Sequence, residues 1–131
     1  MRLQLMTSGL FATLTLIAGC HPEKTPQTTA QEIAAAKQEA ARELTQARLE
    51  ASKDIKSAAK VAGSNSTEVA RAKATAAYDI AMAKADGDHQ IASEKCLTLQ
   101  VSMRQACREQ ADADYETAKA TAKVTRVART H

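Results

Sequence analysis

The chain predicts an all-α protein, built of long alanine-rich helices that form an extended antiparallel hairpin or three-helix bundle. Three observations lead there. Alanine supplies 27 of the 112 residues after position 19, and alanine has the highest intrinsic helix propensity. Beyond Phe11 the only aromatic residues are Tyr78 and Tyr115, too few large side chains to fill a thick globular core. Most telling is an eleven-residue repeat, from EIAAAKQEAAR at 32–42 to QIASEKCLTLQ at 90–100, with a three-residue step after Ser64.

Each unit places an acidic or amide residue before a branched one, giving the series Ile33, Leu44, Ile55, Val69, Ile80 and Ile91. Small residues follow three and seven positions later, among them Ala36, Ala40, Ala47, Ala51, Ala72, Ala76 and Ala83. A 3-4-4 spacing returns every 11 residues, about 3.67 per turn, so these positions form one nearly straight stripe along a helix. The stripe is expected to be an interaction surface that packs within the chain, with a second copy or with a periplasmic protein partner. A Lys or Arg recurs in phase at Lys37, Arg48, Lys73, Lys84 and Lys95.

The chain divides into a leader at 1–19, a flexible tether at 20–30 and a helical domain at 31–131. In the tether, HPEKTPQTTA carries two prolines among threonines and charges, a composition that favours extended chain. Helices are predicted at about 31–62, 66–98 and 103–128. The first joint is Gly63 to Thr67, where Gly63 suits a C-cap and Asn65 with Glu68 a capping box. Asp86-Gly87-Asp88 is a weak spot in the second helix, read as a solvated kink. Ser102 to Gln105 reads as a capping box that starts the third helix.

Cys96 and Cys107 define the second joint. Eleven residues apart, on one unbroken helix they would stand ~16 Å from each other. A disulfide needs Cα atoms within about 7 Å, so bonding requires a turn between them. Leu97 to Val101, rich in branched residues, supplies the candidate. The pair lacks the C-x-x-C spacing and neighbouring histidines of redox or metal sites.

The first twenty residues, MRLQLMTSGLFATLTLIAGC, have Arg2, then an apolar stretch, then small residues, which is the layout of a signal peptide. The apolar stretch is too short for a membrane span of about 20 residues. Leu16-Ile17-Ala18-Gly19-Cys20 resembles the lipobox of bacterial lipoproteins. That resemblance implies cleavage between Gly19 and Cys20 and covalent lipid on Cys20, with no other cofactor. It also implies anchoring in the cell envelope; His21 stands where the inner-membrane retention signal has Asp, which favours the periplasmic face of an outer membrane. An exported chain meets oxidising conditions, so the remaining cysteine pair is expected to be bonded.

The segment from Tyr78 to Lys123, with Lys95-Cys96, Leu99 and Cys107, resembles small Ala/Lys-rich exported proteins of proteobacteria that carry Lys-Cys-x-x-Leu-x7-Cys, mostly of unassigned function. Gln100-Val101 replace the Gly often found in their turn. The elevens at 32–95 resemble those of group 3 late embryogenesis abundant proteins, although Ile and Leu stand where those proteins have alanine. This likeness implies a stress-protective role for a hydrophilic repeat. A third expectation is a cell-wall tether like the major murein lipoprotein; His131 stands in place of the terminal Lys used there, so contact with the wall would be non-covalent.

Catalytic chemistry finds little to work with. Of the three histidines, His21 is in the tether, His131 ends the chain, and His89 lies in DGDH. With Asp86 and Asp88, His89 forms a weak candidate metal cluster without the spacing of a calcium loop. There is no glycine-rich phosphate loop and no nucleophile with a base beside it, so the chain is expected to be no enzyme and to take no small-molecule substrate. Charges alternate along the chain instead of forming basic blocks, so no nucleic-acid partner is implied. Glu39/Arg42, Glu50/Lys53, Glu68/Arg71 and Glu116/Lys119 are expected to pair along the helices.

Overall fold

A computed structural model describes residues 26–63 and 65–129. Three helices follow one another: α1 (Pro26–Ala62), α2 (Ser66–Cys96) and α3 (Val101–Ala128). The leader, Gly19 and Cys20 lie outside the described residues.

The helices begin and end for local reasons. α1 opens at Pro26, five residues before the predicted start. Proline suits the first helical position, where its missing N–H would be unpaired in any case. The expected tether therefore loses residues 26–30 to the helix, and Thr29 within it is buried. Gly63 ends the first helix with a φ of 56°, the left-handed conformation that glycine adopts at low cost. Asn65 then caps α2, its Oδ1 accepting a bond from the Thr67 N–H at 3.2 Å.

The second joint falls two residues earlier than the predicted helix bounds place it, at 97–100. Backbone bonds from Leu97 to Glu94, Thr98 to Lys95 and Leu99 to Cys96, of 3.0 to 3.2 Å, tighten the end of α2. The expected capping box at Ser102 does not form: α3 starts at Val101, and its N-cap Gln100 makes no side-chain cap bond. Arg104 instead reaches back, its Nε donating to the Leu99 carbonyl at 3.0 Å.

Packing follows from the repeat. In α1 the covered residues run Thr29, Ile33, Ala36, Ala40, Leu44, Ala47, Ala51, Ile55, Ala58 and Ala62, with only Glu32 added beside them. That is the 3-4-4 series. α2 carries the matching line Val69, Ala72, Ala76, Ile80, Ala83, Gly87 and Ile91, and a second one through Ala74, Tyr78, Ala81, Ala85, His89, Ala92 and Cys96. The two lines lie on nearly opposite faces, roughly 160° apart for a helix of 3.67 residues per turn. α1 packs on the first and α3 on the second, and among the described residues α1 and α3 make no contact with each other. The array is therefore open, an up-down-up row of three helices with α2 in the middle, within the all-α hairpin or three-helix class that the sequence predicts.

Small residues let the helices approach closely. The buried side chains are alanines, Cys96 and Thr29, while all six branched residues of the stripe are half-buried. Ala40 of α1 meets Gly87 of α2, where an added Cβ would stand 2.6 Å from the Ala40 Cβ and 3.3 Å from its Cα. α2 passes through Asp86-Gly87-Asp88 without a break, so the expected solvated kink is instead a buried contact. One register bond flanks it, Gln90 Nε2 donating to Glu39 Oε2 at 3.2 Å.

Gly87→Ala tests this contact. Alanine gains about 1 kcal/mol over glycine in helix propensity, but the new methyl meets a Cβ fixed to backbone, and overpacking costs about 1–3 kcal/mol. In urea denaturation Gly87→Ala should be the less stable protein, and Ala40→Gly should recover much of the loss in that background while destabilising the wild type. A more stable Gly87→Ala protein would show that the helices are further apart.

Candidate functional site

The densest polar grouping in the described residues lies on the seam between α2 and α3. Two joints fix the register there. One is the Cys96–Cys107 disulfide, with Cα atoms 5.6 Å apart and Cys96 fully buried. The other is at the opposite end of α3, where the Arg126 guanidinium lies over the Tyr78 ring at 5.2 Å. Between them the covered positions of α3 are Cys107, Ala111, Tyr115, Lys119 and Ala122, of which Ala111 and Ala122 stand eleven apart.

Asp86 and His89 from α2 meet Asp112, Tyr115 and Lys119 from α3. His89 Nε2 lies 2.7 Å from Asp112 Oδ1, and the imidazole is the donor because a carboxylate only accepts. The His89 and Tyr115 rings stack with centroids 4.8 Å apart. The Tyr115 hydroxyl donates to Asp86 Oδ1 at 2.5 Å. Lys119 Nζ lies over the Tyr115 ring, 4.7 Å from its centroid, and bonds Glu116 at 2.7 Å.

These contacts set the electrostatics. The bond to Asp86 holds the Tyr115 phenol above its ordinary pKa, with desolvation adding to the shift, because ionisation would place two negative charges together. The bond to Glu116 likewise raises Lys119, since the carboxylate favours its charged form. A phenol held protonated is a poor base. The grouping is a latch between two helices: a stacked pair of rings closed at each edge by a carboxylate.

The candidate residues distribute as follows. Cys96 and Cys107 come together. Ile33, Leu44, Ile55, Val69, Ile80 and Ile91 line the α1–α2 seam. His89 turns to Asp112 instead of joining Asp86 and Asp88, Asp88 pairs with Lys84, and Asp86 receives Tyr115. The candidate metal cluster is thus dispersed, and among the described residues no group of three potential ligands converges. Of the expected pairs along the helices, Glu116–Lys119 forms, whereas Glu39 binds Gln90 and Glu50 binds Gln46.

The latch was open to discovery from sequence. Once the two cysteines are bonded, positions at similar distances from them face each other: His89 is seven before Cys96, and Asp112 and Tyr115 are five and eight after Cys107.

Two outcomes follow. In a Tyr78→Phe protein Tyr115 is the only tyrosine, and its ultraviolet titration should fall above that of free tyrosine, about 10. Asp86→Ala should bring it down. The sign follows from the raised phenol: the bond's contribution is fully present below the unfolded pKa and is lost as pH rises through the folded one. Separately, Cys96→Ser/Cys107→Ser should lose about 3 kcal/mol in urea denaturation, the loop-closure value for a ring of this size. Unchanged stability would mean that the α2–α3 register is set without the bond.

Comparison with protein-family models, with curated proteins and with solved structures finds no match to this chain.

Proposed function

We propose that this protein is a cell-envelope lipoprotein, held to a membrane by lipid on Cys20, with a structural or protein-interaction role and no catalytic activity. The observation that carries the reading is Leu16-Ile17-Ala18-Gly19-Cys20 at the close of an apolar stretch that follows Arg2. Several acyl chains on one residue would give an anchor far more durable than a single myristoyl group. The Cys96–Cys107 disulfide supports it, since such bonds persist in oxidising compartments. Among the described residues no helix is long and apolar enough to cross a membrane, so attachment in this reading rests on Cys20.

The helical body suits a spacer. α1, at 37 residues, extends ~55 Å, and both outer helices leave long polar faces open. The eleven-residue repeats also favour a second reading, a stress-protective protein of the late-embryogenesis-abundant type that is disordered until dried or bound. Favouring the folded spacer are the interlock of Ala40 with Gly87 and the register bonds across both seams. The two readings differ in dilute solution, where the spacer gives strong helical circular dichroism and the protective repeat little.

Expression with a fatty-acid analogue tests the anchor. The wild-type chain should be labelled and processed to a shorter form, and Cys20→Ala should be neither. Labelling of Cys20→Ala at wild-type levels would remove the lipoprotein reading.

A further inference from the structure

Charges that alternate along the chain do not alternate in the folded array. The up-down-up path brings the end of α1, the start of α2 and the end of α3 together: Asp54 and Arg71 line one cleft, and Arg71, Tyr78, Lys123 and Arg126 line the next, of 660 Å³. The half of the array containing 51–79 and 117–129 holds nine lysines and arginines against three acids. The other half, 26–50 and 80–116, holds seven against eleven. The rod is a charge dipole, net positive by six at one end and negative by four at the other.

Helix dipoles account for only part of this. Lys60 and Arg126 lie in the last turns of α1 and α3, where cations complement the C-terminal carbonyls. Arg71 and Lys73 stand near the N-terminus of α2, an end that favours acids, so the dipole does not call for them. Nor are these cations spent on neighbours: Lys60, Arg71, Lys73 and Lys123 are exposed, and the ion pairs across the described residues are made by Lys84, His89 and Lys119.

The same end exposes aliphatic side chains. Val61 is 85% exposed, Val124 68% and Val127 56%. Its one aromatic ring, Tyr78, is covered by Arg126, which leaves no free platform for stacking nucleic-acid bases. Cations beside projecting aliphatic groups are what an anionic bilayer surface accepts, phosphates meeting the charges and the apolar groups entering the headgroup boundary.

We infer that the basic pole formed by the end of α1, the start of α2 and the end of α3 docks on anionic lipid headgroups. The inference concerns residues 51–129; α1 begins at the other end of the rod, so lipid on Cys20 would hold that end and the pole would meet a second surface ~55 Å away. The acidic half, repelled by the same surface, orients the rod with its pole down.

The test uses residues 20–131 with Cys20→Ser, the leader absent and the disulfide intact, and vesicles of phosphatidylcholine alone or mixed equally with phosphatidylglycerol. Partition should be at least ~10-fold stronger on the anionic vesicles and should fall to the neutral level at about 0.5 M salt, where screening reaches only a few ångströms. Lys60→Glu/Arg71→Glu/Lys123→Glu should abolish the preference, while Lys37→Glu/Arg42→Glu/Arg108→Glu at the other end should keep it, with unchanged circular dichroism in both. Val61→Ser/Val124→Ser should weaken vesicle binding but not binding of soluble polyphosphate. Equal partition on both vesicles, or a preference that survives the pole variant, overturns the proposal. So does polyphosphate binding with vesicle binding indifferent to the valines, which would make the pole a receptor for soluble polyanions.

Discussion

Close approach of helix backbones is the constraint on which this structure depends. Its buried positions are filled by alanine, with Thr29, Gly87 and Cys96, and alanine offers little apolar area to remove from water. Such a seam holds because small side chains bring long stretches of backbone within dispersion range, each contact weak and the sum large. The helices must therefore be long and straight, and the 3-4-4 spacing keeps the small residues facing each other for the whole length. A single side chain too many, as at Gly87, separates the pair.

The open array follows from the same constraint. α2 carries two stripes, and α1 and α3 carry one each, so the middle helix is used on both faces and the outer helices on one. A closed bundle would need each helix to cover part of both others. With so few large side chains there is nothing to fill the space at the centre of such a bundle. What large groups the α2–α3 seam has, Tyr78, His89, Tyr115 and Arg126, sit beside the alanines and stack on one another.

Much of this was legible in the sequence, for a definite reason. A spacing repeated over six units outweighs local noise, which is why the helices, the 3-4-4 stripe of α1 and the joint at Gly63 to Asn65 could be read. Single features misled where tertiary context decided. Gly87 reads as a helix weakness in isolation and is a packing contact in place. Ser102 fits a cap by pattern, yet α2 ends two residues earlier than predicted, at Cys96, and the turn of four residues brings α3 to its start at Val101. Residues 26–30 read as tether by composition, but Pro26 is also a good helix start and Thr29 continues the stripe by four. The second stripe of α2 was missed because its positions are not marked by branched residues, and the latch and the charge dipole were missed because both depend on which ends the fold brings together.

The central claim, that α2 alone joins two outer helices, is tested most directly by a cysteine-reactivity scan in the Cys20→Ser chain with the native disulfide intact. Single cysteines at successive positions of α1 should be protected from alkylation along one line, Ala36, Ala40, Ala47, Ala51 and Ala58, and should react freely at Ala34, Ala35, Ala41 and Ala59. α2 should show two protected lines. A second protected line on α1, in a protein that is monomeric, would mean that α1 also meets α3 and that the array is closed.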